Sequence, residues 1–427
     1  MNKDAVPEHL DPSFIRGLTQ RRISRRTALK GAGALSFASF LAACGIGGGG
    51  TTQPAAAAHV NWVWDKATKQ GTLDFANWPL YIDTGQDAAG NTTYPSLQKF
   101  TADTGIKVNY SEPIQDNASW FAKVAPELQQ KQPIGFDIMV VTNGIEMTNF
   151  QLKHWLTELD HTKMPNFFKN AAPRLLHRQF DPDNKFTMPW QSGLTGIGYN
   201  PKLTNREITS FADLFDPSFK GRVGMFTNNE DVGNLTLVGM GIKPENSKSS
   251  DWQKAADKLK QQRDSGLVRK YYDQSYIKAL EAGETWISMA WSGDIFQANL
   301  SAGNDDLKFV VPKEGAVIWT DNMCIPLGAA HPVDAITYMD YVYQPAIAAM
   351  LAEYIDYITP VPGARDVVLS DAAAATDADT KNGLTGTANS PLVFPSSDDL
   401  AKTSYYRVLT PSEAAQWNDI FNAVIIT

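Results

Sequence analysis

The chain has 427 residues and a formal net charge of −8, with 46 Asp and Glu against 38 Lys and Arg. Seven of the bases but only three of the acids precede Cys44, so residues 44–427 carry a net −12. That surplus argues against nucleic acid as a partner, and two cysteines in all, Cys44 and Cys324, leave no disulfide framework.

In chain order, paired arginines precede an apolar stretch, 31–43, too short to span a bilayer as a mature helix. The stretch closes on Leu41-Ala42-Ala43-Cys44, which resembles the lipobox at which bacterial lipoproteins are cleaved and acylated. Residues 1–43 are therefore expected to be a signal peptide and Cys44 the lipidation site. Ser24-Arg25-Arg26-x-x-Leu29-Lys30 is similar to a twin-arginine export signal, with Ala28 where Phe is usual, so that route and the general secretory route both stay open. Residues 45–58, GIGGGGTTQPAAAA, can bury little area, and 44–69 reads as a flexible tether. The chain from 70 onward is long enough for two domains and has no further run of membrane-spanning length, so a lipid alone is expected to hold it to the membrane.

Residues 72–76 read as a strand, 95–104 as a helix opened by Pro95 and stopped by Gly105, and 106–110 as an alternating strand. A second helix over 118–131 leads to the apolar run 136–141, suited to a central parallel strand. A strand at 222–226, an amphipathic helix at 251–263 and an apolar strand at 286–291 come next. The segment 371–399, poor in large apolar residues, reads as a surface excursion before a last helix at 411–424. Alternation of this kind specifies an α/β fold with open parallel or mixed sheets.

Ligands of such sheets bind beyond the carboxyl ends of the strands. There the sequence places Trp78 and Tyr81, then Thr142-Asn143-Gly144, then Trp291 and Asp294, then Trp319 and Asp321. Aromatic faces attract an ammonium through the ring quadrupole and cover its methylenes, while carboxylates accept from each N–H. An organic amine is the ligand this chemistry holds. Each residue alone also has a structural reading: tryptophan as core, Asp294 and Asp321 as caps, and Asp231 as a first-turn acid of a helix.

Ordered segments strengthen the ligand reading. They are Asn77-Trp78-x-x-Tyr81, Phe100-x-x-x-Thr104-Gly105-Ile106, Phe136-Asp137-Ile138, Phe180-Asp181-Pro182-Asp183-Asn184, Gly196-Ile197-Gly198-Tyr199-Asn200, Trp291-Ser292-Gly293-Asp294, Trp319-Thr320-Asp321-Asn322 and Tyr357-Ile358-Thr359-Pro360. Together, over about 71–424, they resemble the polyamine-binding solute receptors of ABC importers, the spermidine/putrescine-binding proteins. The resemblance implies a two-lobed periplasmic-binding-protein fold of type II, each lobe an open α/β sheet with helices on both faces and a hinged cleft between. Lobe 1 would be 70–193 plus 321–363, and lobe 2 would be 194–320 plus 364–427. Trp78, Tyr81, Trp291 and Trp319 would be cleft walls, Tyr357 a wall beside the hinge, and Asp294 and Asp321 amine-binding carboxylates. Asp231 aligns with a further family carboxylate across a one-residue gap. The implied partners are a polyamine and a membrane permease, for a monomer with no cofactor.

Two departures bear on specificity. Pro79-Leu80 stands where spermidine-binding relatives often carry an acid, and Thr142-Asn143-Gly144 lacks their usual wall residue, which implies a larger cleft at that end. A sugar receptor would also use Trp and Asp and stays open as an alternative, as does a two-carboxylate hydrolase. The six His, at 9, 59, 154, 161, 177 and 331, show no metal-ligand spacing, and no nucleophile elbow or phosphate loop is present.

Overall fold

The structure, a computed structural model, describes Trp64 and residues 67–425. The expected signal peptide 1–43, Cys44 and most of the tether lie outside the described residues.

The first βαβ unit forms where the periodicity places it. β1 (Thr72–Ala76) leads to α1 (Pro95–Thr104), which opens on a proline that lacks only a dispensable N–H and closes on Gly105 at φ 73°. β2 (Lys107–Ser111) then lies parallel to β1. α2 (Asn117–Gln129) starts at Asp116, whose side chain accepts the Ser119 N–H at 2.7 Å. β3 (Ile138–Thr142) buries its whole apolar run, as a strand covered on both faces should, and Gly144 turns the chain into α3 (Ile145–Leu152).

A long strand, β4 (Met188–Tyr199), has all twelve residues buried. β5 (Val223–Phe226), α4 (Asn229–Gly239), α5 (Ser249–Asp264), β6 (Val268–Tyr272), β7 (Ile287–Trp291) and α6 (Ser292–Ala302) repeat the alternation. After β8 (Lys308–Val310) comes a second long buried strand, β9 (Ala316–Cys324). Helices α7 (Pro332–Tyr341), α8 (Pro345–Ile355), α9 (Ala364–Ala374) and α10 (Ala378–Asn389) precede β10 (Thr403–Tyr405) and α11 (Pro411–Ile425).

The strand order is β2-β1-β3-β9-β4-β7-β5-β6, with β8 beside β4 and β10 beside β9. It is one curled, mixed sheet made of two α/β halves. β1, β2 and β3 are mutually parallel on one side, and β5, β6 and β7 on the other. β4 and β9 join them. The C-terminal part of β9, Asp321 to Cys324, pairs with β3, while its start pairs with β10; the C-terminal part of β4, from Thr195, pairs with β7. Two antiparallel strands thus run through both halves.

Three expectations change. Residues 319–321 lie inside β9, not beyond a strand end, because the strand continues across the middle of the sheet. The segment 371–399 is no excursion: α10 forms within it, buries Leu384 and Ala388, and packs on α9. α9 in turn packs on α8, and α8 on α1. The lobe boundary drawn at 363/364 therefore falls inside a packed helical unit.

Aromatic cores fill each half. Phe75 meets Tyr110, Trp190 and Tyr338 at centroid distances of 5.4–5.8 Å, and in the second half Trp252 meets Trp417 at 5.3 Å. No helix among the described residues is long and apolar enough to cross a membrane. α4 sits deep because its glycines let aromatic rings touch its backbone; a Cβ on Gly239 would stand 2.0 Å from Phe211 Cδ1. Gly239→Ala should therefore lower stability by roughly 1–3 kcal/mol through overpacking. A urea unfolding midpoint unchanged from wild type would refute this packing argument.

Candidate ligand site

Cross-strand register brings the central side chains together. Asp321 on β9 lies opposite Thr142 on β3, and its two carboxylate oxygens accept the Thr142 hydroxyl at 2.6 Å and the Tyr81 hydroxyl at 2.7 Å. The Tyr81 carbonyl is itself fixed by the Trp190 indole and the Asn77 amide, both at 3.2 Å. Thr195 on β4 lies opposite Trp291 on β7. Its hydroxyl accepts the Trp319 indole N–H at 3.1 Å and donates to Asp231. Asp231 also accepts the Trp291 indole N–H at 3.0 Å and the Tyr406 hydroxyl at 2.7 Å. Asp294, in the first turn of α6, accepts the hydroxyls of Tyr357 and Tyr276 at 3.0 and 3.1 Å.

Rings bridge these carboxylates. Tyr357 meets Tyr81 edge-on at 5.7 Å and Trp319 at 5.6 Å, while Trp291 meets Phe226 at 4.5 Å and Tyr276 at 5.9 Å. Tyr81, Asp231, Asp294, Trp319, Asp321 and Tyr357 are only 2–8 % exposed, so the two halves are closed over them. Trp78 is tied elsewhere: half-buried at the end of β1, it donates its indole N–H to the Val140 carbonyl at 3.1 Å.

Comparison with known proteins gives this arrangement a context. The family of bacterial extracellular solute-binding proteins matches residues 137–382, more than half of the chain. The chain belongs to that family. The spermidine/putrescine-binding periplasmic protein of Escherichia coli (strain K12) is 29% identical over 323 residues, 74% of this chain and 87% of that protein. The putrescine-binding periplasmic protein PotF of the same organism is 27% identical over 368 residues, 81% of this chain and 89% of that protein. The solved spermidine/putrescine substrate-binding protein PotD of Streptococcus pneumoniae shares the fold, with a TM-score of 0.66 and 23% identity over 84% of this chain and 99% of that one.

Electrostatics in this family member are set by burial. Desolvation pushes the Asp321 carboxyl up to about 6, against the pull of the Thr142 and Tyr81 hydroxyls, and the Asp231 charge adds to the rise. Asp231 is raised for the same first reason. Burial, then the neighbouring carboxylates, hold the phenols of Tyr81, Tyr357 and Tyr406 well above their usual range, so they remain donors. Asp231 and Asp321 draw their bonds from hydroxyl and indole groups, and among the described residues no Lys, Arg or His is ion-paired to either.

Sequence reasoning missed Thr195, Tyr276 and Tyr406. Tyr406 follows the three-residue strand β10, too short to be read from periodicity, and Thr195 lies inside the glycine-rich β4. Asp231 is not the cap of α4; Asn228 accepts its N–H at 3.0 Å, which frees the Asp231 carboxylate for the site. A grouping that spacing could not show is Asp74, Asp137 and His331, whose potential ligand atoms lie within 4.8 Å of one another. There Asp137 accepts the N–H groups of Asp74 and His331 and contacts the His331 ring, each at 2.8 Å, which ties the start of α7 to β1 and β3.

Burying Asp321 has a cost that pH reveals. With its folded pKa near 6 and an ordinary value of 3.8, the folded state binds more protons between those limits. Stability from this group is present at low pH and lost as pH rises through 6. Asp321→Asn should therefore raise ligand-free stability at pH 7.5 by about 2–3 kcal/mol, with the advantage gone by about pH 4. Thermal melts across that range that run parallel for both proteins would contradict the assignment.

Proposed function

We propose that this chain is the extracytoplasmic receptor of an ABC importer and captures a polyamine such as putrescine or spermidine in the cleft between its halves. The observation that carries the reading is the pair Asp231 and Asp321, two buried carboxylates that neighbours satisfy with neutral donors and whose charge no Lys, Arg or His among the described residues offsets. A cationic amine supplies that compensation, and each of its N–H groups can take a place now held by a hydroxyl. An anionic solute would meet repulsion from both.

In this reading Asp231, Asp294 and Asp321 pair with ammonium groups, and Tyr81, Trp291, Trp319 and Tyr357 cover the methylenes through their ring faces. Trp78 forms an outer wall on turning from Val140. The two halves, divided within β4 near 193 and within β9 near 321, open and close about those strands, which act as the hinge, while α8, α9 and α10 move as one packed unit. Export and acylation at Cys44 hold the monomer at the outer face of the membrane. There it delivers ligand to a permease without a cofactor and without turning the ligand over. The names of the E. coli relatives support the choice of polyamine over sugar.

Calorimetric titration with putrescine, spermidine, spermine and maltose tests this. Amine heats are expected, with about a hundredfold loss on Asp321→Asn, because one charge of a buried pair is removed, and about tenfold or more on Trp291→Ala. The cation needs the ionised carboxylates, so affinity should fall as pH drops through about 6, the value to which burial lifts Asp321. Binding of maltose with no amine heat would end the amine reading.

A further inference from the structure

Helix α3 reaches the cleft without a cap of its own. Gly144 offers no side chain, and no side chain caps its N-terminus locally. A partner comes from the opposite half: Glu230, the second residue of α4, accepts the Ile145 N–H through Oε1 at 3.1 Å, across 85 positions of sequence. Because Asn228 caps α4, Glu230 is released from that duty. Its carboxylate then sits at the positive end of α3, while its own backbone lies in the first turn of α4.

Gly144 is what permits the approach. A Cβ there would stand 2.6 Å from both Glu230 oxygens, and φ 152° is itself a conformation that suits glycine. On sequence alone Gly144 reads as a missing wall that enlarges this end of the cleft; the structure fills the space beside it with the Glu230 carboxylate. Glu146, next to Ile145, opposes the contact. Burial first, and then the Glu146 charge, raise the Glu230 carboxyl well above its usual range.

We propose that Glu230 is a positioning residue for ligand capture: it caps α3 across the cleft when the halves meet, and so its bond strengthens the closed form alone. The inference rests on the hinged-receptor reading of the site. In an open form the Ile145 N–H and the Glu230 carboxylate would both face water, so their mutual bond favours closure by its net value. A ligand that binds the closed form gains affinity in proportion to the closed fraction. Glu230 therefore acts on every ligand equally and touches none of them.

The test uses the full chain with donor and acceptor dyes, one on each half, read by single-molecule energy transfer, alongside amine calorimetry. Glu230→Ala should lower the closed fraction without amine and weaken putrescine, spermidine and spermine by one common factor, about five- to thirtyfold. Glu230→Gln keeps an acceptor oxygen and should stay within about threefold of wild type. Gly144→Ala should weaken binding like Glu230→Ala, and the double variant should bind no worse than Glu230→Ala, since both changes remove the same contact. A closed fraction unmoved by Glu230→Ala, losses that differ among the three amines, or additive losses in the double variant would overturn the proposal. If wild type binds no amine, the polyamine reading fails, while the closed fraction without amine still decides the role of Glu230.

Discussion

Trp319 lies directly opposite Gly193 where β4 and β9 pass between the halves. A Cβ on Gly193 would stand 2.3 Å from the Trp319 ring and 2.9 Å from Tyr357, so the absence of a side chain on one strand is what lets the indole of the other approach its backbone. The bond from Trp319 to Thr195, and through it to Asp231, depends on that placement. So does the contact of Trp319 with Tyr357, which carries the network on to Asp294 and Tyr81. Gly293 repeats the device on α6, where a Cβ would stand 2.4 Å from the Tyr357 ring. Close approach of backbone to ring, at two glycines, holds the whole constellation in register.

The same geometry explains why the site is costly to keep. Three carboxylates are buried in one aromatic core, and desolvation dominates the rise of both Asp231 and Asp321. Hydroxyls from Thr142, Tyr81, Thr195 and Tyr406 offset part of that cost without cancelling charge, because a neutral donor stabilises an anion yet leaves its field intact. A Lys or Arg in their place would stabilise the protein more and leave no demand for an external cation. Stability withheld at this point is what a cationic ligand can supply.

Much of the fold was legible. The βαβ unit over 72–111 follows from a proline start, a glycine stop and an alternating strand, and the burial of 138–141 follows from its unbroken apolar run. β4 was not legible, since Gly193, Gly196 and Gly198 lower its strand propensity and the need for them appears only when Trp319, Phe309 and Ala290 come against them. α10 was missed because its residues are poor helix formers and its support is tertiary, from α9. Asp321, Trp291 and Tyr81 were singled out on their motifs, and the structure brings them into one network, although Asp321 lies within β9 and not at a strand end. Tyr406 and Thr195 join the network through hydrogen bonds to Asp231, and a residue that is placed by its contact with another leaves no periodic signal.

Glu230 shows the same limit from another side. Its neighbour Asp231 drew attention as a ligand candidate, while Glu230 reads as an ordinary first-turn acid, expected on any helix. Only the juxtaposition of α3 and α4 shows a second use. A bare N-terminus of α3, turned into a cleft, would attract a phosphate or carboxylate. With the Glu230 side chain already on the Ile145 N–H, that donor is taken and is not offered to an anionic ligand. In the role proposed for Glu230, closure and the occupation of this helix end rest on one side chain, and the glycine at 144 is the condition for both.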